Sequence, residues 1–399
     1  MDFLIVYKCK LYNKKTMQIE ELKSLFLKHK ETSLFHRYIT NKHIKPLLNN
    51  LSKHLTIETI GKSVLKDSIY GLKIGNGDKR ILIWSQMHGN ESTTTKALFD
   101  LLNTLLDKST ETKDILSSCT LYIIPILNPD GAQAYTRINA NKVDLNRDAQ
   151  NLSQPESKVL RTVFESFKPH FCYNLHGQRT IFSAGNTRKI ATVSFLAPAQ
   201  DKDCTITPTR KVAMEVIGVM NDALQSIIPN QVGVYDDAFN LNCVGDTFQS
   251  ENVPTILFEA GHSYNDYERE NTRELIYISY ITSLNYIANT SIIDGSKYES
   301  YFKIPENGKC FFDIIIRNAK TKDYSKIDIG ILYEERLVDG KIEFIPKINK
   351  IENLNGFYGH KEIEANGFEI FDANKQCLKV GSENVFVMLN NNEISLLSK

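Results

Sequence analysis

Between residues 81 and 289 the chain alternates short apolar runs with longer amphipathic stretches, and this alternation restricts the fold more than any other feature. Ile81–Trp84, Leu121–Leu127, Phe171–Leu175, Val193–Leu196 and Thr255–Phe258 are too short for helices and read as buried strands. Between them Leu98, Leu101, Leu102 and Leu105 recur at helical spacing, as do Val159, Leu160, Val163, Phe164 and Phe167. Val212, Val216, Met220 and Leu224 predict a helix over 210–228, and residues 270–289 predict another. Strands alternating with helices predict an α/β fold, with a mixed, largely parallel sheet flanked by helices. Asn128-Pro129-Asp130-Gly131 predicts a turn after the second strand. Ser153 to Glu156, with Pro155 in the first turn, predicts a capping box at the next helix.

The flanks have other textures. Leu22, Leu25 and Phe26, then Ile44, Leu47, Leu48 and Leu51, predict helix within 18–55, so residues 1–60 are expected to be a helical extension. Its lysine excess reads as a solvated helical face. Met17, just before this pattern, is a candidate for the true start. Residues 61–300 are expected to form the main α/β domain. After residue 300, FFDIIIRN, IDIGILYEERL, KIEFIPKI and NVFVMLNN are strand-like runs separated by Gly, Asn and Asp. They predict a small β-rich domain over 301–399, and truncation near residue 300 is expected to harm solubility more than chemistry.

Composition narrows the partners. Of 399 residues, 42% are hydrophobic and 24% charged, enough apolar material for a sizeable core. Lys and Arg number 48 against 47 Asp and Glu, and this balance favours neither nucleic acid nor an acidic membrane surface as partner. The seven cysteines (Cys9, Cys119, Cys172, Cys204, Cys243, Cys310 and Cys377) are odd in number, scattered and without a CxxC. They suit reduced thiols in a cytoplasmic protein rather than a disulfide framework. Phe3 to Tyr7 is too short for the ~7–15-residue core of a signal peptide, and no apolar stretch nears the ~18–20 residues of a membrane span. The oligomeric state stays open.

Four of the predicted strands run into polar clusters: Met87 to Glu91, Asn128 onward through Arg137 to Arg147, His176-Gly177, and Glu259 to His262. In open α/β sheets ligands sit beyond the carboxyl ends of strands, so these clusters can converge. His88 and Glu91 lie three residues apart at a strand-to-helix junction, and one turn brings both to the same side. Imidazole and carboxylate suit zinc, and a catalytic zinc takes three protein ligands. His176 is the natural third.

The order HGNE, NPDG, Arg137, VDLNRD, LHG, FEAGH resembles the zinc carboxypeptidase family over about residues 75–290. The resemblance is to a bacterial, cytoplasmic-type member with a C-terminal β domain. It implies one Zn2+ ion on His88, Glu91 and His176, with Glu259 as general base and Arg137 as the electrophilic residue. It also implies that Asn146 and Arg147 clamp the substrate's terminal carboxylate, and it makes Tyr235 the nearest candidate for a loop tyrosine that meets substrate. The chemistry agrees. A carboxylate beside a polarised carbonyl can move the required proton, an arginine can bond a developing oxyanion, and a guanidinium grips a carboxylate through two parallel bonds. Asp144 and Asp148 are expected to orient Arg147 or cap a local turn. Asp246 is an acidic candidate for the specificity pocket, Gln178 and Arg179 candidates to reach substrate, and His262 a supporting histidine.

Three functions fit this set. The first is a peptidase acting on peptides, or on small amides, with a free carboxylate. The second is a deacylase of N-acyl amino acids, since the aspartoacylase and succinylglutamate desuccinylase branch has similar HGNE and DLNR motifs. The third is a zinc protein that binds carboxylates without hydrolysis, which would need neither Glu259 nor Arg137.

Overall fold

The computed structural model describes residues 18–107, 112–322 and 326–398. Two helices lead in, α1 (Ile19–His29) and α2 (Asn41–Leu51). They bury Leu22, Phe26, Ile44, Leu48 and Leu51 against the largest core cluster. The helical pattern breaks between them, and Thr40 with His43 forms the capping box that starts α2. Met17 and Cys9 lie outside the described residues.

An antiparallel pair follows, β1 (Thr56–Lys62) and β2 (Ser68–Ile74). Next come β3 (Lys79–Trp84), α3 (Thr93–Leu106), α4 (Lys113–Ser118), β4 (Cys119–Ile124), α5 (Pro129–Ala134) and α6 (Pro155–Phe167). They are followed by β5 (Phe171–Gly177), β6 (Ser183–Ala184), β7 (Val193–Leu196), α7 (Pro208–Gln225) and β8 (Val232–Val234). The α/β part ends with α8 (Val244–Ser250), β9 (Thr255–Ala260) and α9 (Glu270–Asn289). The main sheet has eight strands in the order β1-β2-β4-β3-β5-β9-β7-β8. Its four central strands, β4, β3, β5 and β9, run parallel, while β2 and β7 join them antiparallel.

Strand alternation divides the core between two faces. Ile81 and Ile83 pack with Leu98 of α3, Met220 of α7 and Ile276 of α9. Leu82 and Trp84 pack with Leu160 and Phe164 of α6 and Phe248 of α8. Both faces of the central strands are thus buried, which is why they read as continuous apolar runs. A buried ion pair crosses the first face. Arg273 of α9 and Asp100 of α3 are both 0% exposed and meet at 2.6 Å. Arg273 also donates to the Leu34 and Glu31 carbonyls, tying down the chain between α1 and α2.

Two local expectations are corrected. Asn128-Pro129-Asp130-Gly131 is not an isolated turn; it opens α5, with the Asn128 side chain accepting from Gly131 N. A Cβ on Gly89 would lie 1.9 Å from the Gly131 carbonyl carbon, so only glycine lets these two loops touch. The capping box at α6 does not form. Asp148 accepts the Ser153 and Gln154 backbone N–H groups, and Glu156 turns instead to Val64 N and Asn139.

Beyond the α/β part, β10 (Asn307–Gly308) pairs with β6. Then β11 (Phe311–Ala319), β12 (Ile327–Val338), β13 (Lys341–Glu352) and β14 (Tyr358–Glu364) form a sheet ordered β13-β12-β11-β14. A three-stranded sheet, β15 (Ile370–Phe371), β16 (Phe386–Leu389) and β17 (Asn392–Ser395), completes the C-terminal part. Among the described residues no helix is long and apolar enough to cross a membrane.

Candidate active site

Because β3, β5 and β9 are parallel neighbours, their carboxyl ends come out together. β5 and β9 pair with His176 opposite Glu259. β3 ends at Trp84, and the following loop turns so that Glu91 N bonds the His88 carbonyl. His88 Nδ1 then lies 2.9 Å from Glu91 Oε1, and His176 Nδ1 lies 3.0 Å from both His88 Nδ1 and Glu91 Oε2. Gly177 N donates to Glu91 Oε2 at 3.0 Å and holds the carboxylate in place.

This donor set fits a metal ion. Ligand atoms ~2.0–2.2 Å from one tetrahedral centre lie ~3.3 Å from each other. His88 Nε2 faces the Asp144 carboxylate at 3.1 Å, so that nitrogen carries a proton, and with a metal bound Nδ1 would be the ligating atom. Two imidazole nitrogens and a carboxylate oxygen around one point could hold a cation between them. Among the described residues, His88, Glu91 and His176 are the group of that kind. Burial alone would raise the Glu91 carboxyl, but the His88 charge and the His176 hydrogen bond carry it well below the usual range.

Asp144 does more than was expected of it. It caps the Asn146 N–H, as a turn former would, and it also bonds His88 Nε2 and Arg137 Nε. Its carbonyl accepts from Arg147 N, while its carboxylate reaches no atom of the Arg147 guanidinium. Arg137 Nη1 is thereby held 3.2 Å from His88 Nδ1 and 3.5 Å from Glu91 Oε1. Asn146 Oδ1 accepts from Val244 N, and Arg147 Nη1 donates to the Asn146 carbonyl, leaving the rest of the guanidinium without a partner among the described residues. Asp148 keeps to backbone capping of the loop before α6.

Glu259 Oε2 is buried without a hydrogen bond. Burial and the Glu91 charge push its carboxyl well above the usual range, against the pull of Arg137 and Arg269. The Tyr235 ring packs on Phe182 at 5.2 Å, and burial together with the Glu259 charge keeps its phenol neutral. Asp246 bonds Asn240 N, and burial raises its carboxyl to about 6. His262 is 1% exposed, with both ring nitrogens unpartnered, and packs between Tyr267 and His360.

All of the nominated residues line one cavity of about 750 Å³: His88, Glu91, Arg137, Asn146, Arg147, His176, Tyr235 and Glu259. Sequence reasoning missed part of its wall. Tyr333, Glu334 and Glu335 of β12 reach the same cavity from the C-terminal sheet. Glu335 is held by Arg37 at 2.9 Å and by the Tyr135 hydroxyl. Arg269, 1% exposed, donates to the Ala260 and Gln178 carbonyls, while its Nε has no partner. Nothing in a run such as YEERL marks it as a cavity wall; only the packing of β12 against the α/β part does.

The model of one protein family, described as zinc carboxypeptidase, matches residues 40–353. The chain belongs to the zinc carboxypeptidase family. Among its relatives is carboxypeptidase SOL1 of Arabidopsis thaliana, 31% identical over 163 residues, which are 35% of this chain and 33% of that one. Mouse carboxypeptidase M is 26% identical over 166 residues, or 35% of this chain and 38% of that protein. The matched region thus spans well under half of either relative. Two solved structures share the fold of this family member. They are a metallo-carboxypeptidase from Burkholderia cenocepacia (TM-score 0.51, 16% identity, 62% and 69% of the two chains) and carboxypeptidase A from Helicoverpa armigera (TM-score 0.51, 17%, 68% and 81%).

Proposed function

We propose that this zinc carboxypeptidase family member is a zinc-dependent hydrolase that cleaves the amide bond next to a residue carrying a free carboxylate. The observation that carries this reading is convergence. The three ligand candidates, a buried carboxylate, an arginine beside the ligands and a second, uncommitted arginine all face one cavity. A non-hydrolytic carboxylate binder has no use for the first arginine or for Glu259.

On this reading His88, Glu91 and His176 would hold one zinc ion, which when bound would supply Lewis-acid polarisation of the scissile carbonyl and a more acidic water. Asn146 and Arg147 take the terminal carboxylate; the guanidinium offers the paired donors that a carboxylate accepts. Arg137 meets the carbonyl oxygen as negative charge develops on it, and Asp144 fixes the guanidinium angle from behind. Glu259 takes the water's proton and passes it to the leaving amine. Its place at the end of β9, opposite His176 and facing the cavity, puts the carboxylate within the site for that exchange. Tyr235 closes against the substrate beside Phe182.

The test is hydrolysis of a mixed library of free-acid and C-terminally amidated peptides by the zinc-loaded protein, read by mass spectrometry beside Glu259→Gln. Loss of single C-terminal residues from the free acids alone, absent in the variant, is the expected result. Cleavage of N-acyl amino acids with no peptide cleaved would replace this reading with the deacylase.

A further inference from the structure

We propose that Arg179 is the anion-binding residue of a second recognition subsite, on the side of the scissile bond away from Arg147. It would select peptides that carry a carboxylate in one of the two residues preceding the one released. This rests on the hydrolytic reading above and adds a substrate class to it.

Arg179 stands three residues after His176, exposed, and lines the cavity. Among the described residues it has no hydrogen-bond or ion-pair partner. Its surroundings differ from those of Arg147. A recess of about 40 Å³ joins Arg179 to Tyr267, Tyr333 and Glu335, and it includes none of residues 144–147 or 243–246. Both guanidinium groups line the large cavity, and of the two only Arg179 also borders this recess beside β12. A substrate whose terminal carboxylate sits on Arg147 and whose scissile carbonyl sits at the ligand triad runs on toward Arg179.

The acids near Arg179 are already engaged. Glu335 is taken by Arg37 and the Tyr135 hydroxyl, Asp313 of the recess by the Tyr267 hydroxyl and Tyr333 N, and Glu334 by Arg336 and Lys347. Behind this wall lies the buried Arg269, whose guanidinium meets carbonyls only and whose Nε is unpartnered. Arg179 has no carboxylate on its guanidinium, and the hydrogen bonds of Arg269 go to carbonyls, so an incoming anion finds an arginine fork still open to pair with. Phe182 and Tyr235 give the same stretch an apolar surface for the intervening chain. A carboxylate matches the flat guanidinium fork better than a phosphate-free neutral side chain does.

The experiment compares free-acid peptides that differ only by Glu against Gln at the first or second residue before the cleavable one. Expected is at least a tenfold higher kcat/KM for the Glu peptide in the wild type, carried mainly by KM. Arg179→Gln should bring the ratio near one, Arg179→Glu should invert it, and Arg179→Lys should keep part of it. All three should melt at the wild-type temperature, so the change in ratio reports recognition rather than folding. A wild-type ratio near one, or a preference that survives in Arg179→Gln, overturns the proposal while leaving the hydrolytic reading intact. If no peptide is cleaved, the hydrolytic reading fails, and the same pairs are titrated by calorimetry. An Arg179-dependent preference for Glu would then keep the subsite, and equal binding would remove it.

Discussion

Asp144→Asn would keep the shape of a side chain that touches both His88 and Arg137 while removing its charge. Carboxylates behind ligating histidines raise ligand basicity, so zinc affinity is expected to fall ~10–100-fold, measured by competition with a chromophoric chelator. Unchanged affinity would mean that Asp144 only caps its turn. Arg137→Ala is expected to lower kcat by ~10²–10³ with little change in zinc occupancy, because its bond matters when charge builds on the carbonyl oxygen. A rise in KM alone would assign Arg137 to ground-state binding instead. At this scale most of the candidate site was legible, because metal ligation and carboxylate recognition restrict residue types and strand ends restrict where they stand. What was not legible was how each polar atom divides its bonds. Asp144 was expected to orient Arg147 or cap a local turn; it caps the turn and also bonds His88 and Arg137, which the sequence did not mark. Arg269 gave no signal either, since its partners are backbone carbonyls brought close by strand pairing.

Elements were legible where burial imposes a period. The parallel strands are apolar on both faces, so their runs stood out, and α3, α6, α7 and α9 showed helical spacing for the same reason. β14 was not anticipated: it runs parallel to β11, and most of its side chains are exposed or half-buried, so no apolar pattern marks it. Asn128 to Gly131 and Ser153 to Glu156 show a different limit. The first keeps its local bond, Asn128 to Gly131 N, but continues into helix, while in the second Asp148 and Asn139 offered better partners than the local ones. The contact between α3 and α9 makes a prediction at this scale. Arg273→Met would leave Asp100 buried without its countercharge, and the unfolding free energy should fall by ~3–5 kcal/mol in urea denaturation. Activity per folded molecule should hold, since neither residue lines the cavity. A loss under ~1 kcal/mol would mean that water reaches Asp100.

For the whole molecule the question is how the C-terminal sheets meet the α/β part. The His360 ring stacks on Phe311 at 4.7 Å, meets the ring of His262, and bonds the Thr180 carbonyl across this boundary. Burial lowers it to about 4, from an ordinary value of 6.5, with the nearby Arg269 charge pulling the same way. The folded form therefore holds the neutral ring and the unfolded chain binds the extra proton. Stability from this group is complete above pH 6.5 and is lost as pH falls toward 4, by up to ~3 kcal/mol. Denaturant unfolding between pH 4.5 and 7 should show that slope, and His360→Asn should flatten it; an equal slope in the variant would place the titrating group elsewhere. The separate β texture after residue 300 was legible, but its part in the cavity wall was not. Truncation near that point would strip Arg37 and Tyr135 of Glu335 and open one side of the cavity, so selectivity should suffer together with solubility. The pairing of β5 with β9 has one more consequence. Glu259 faces His176 only once the ninth strand has been made and inserted between its neighbours, long after His88 has left the ribosome. A chain synthesised only as far as β5 thus carries the three ligand candidates without Glu259, and on the proposed reading it stays silent until β9 is in place.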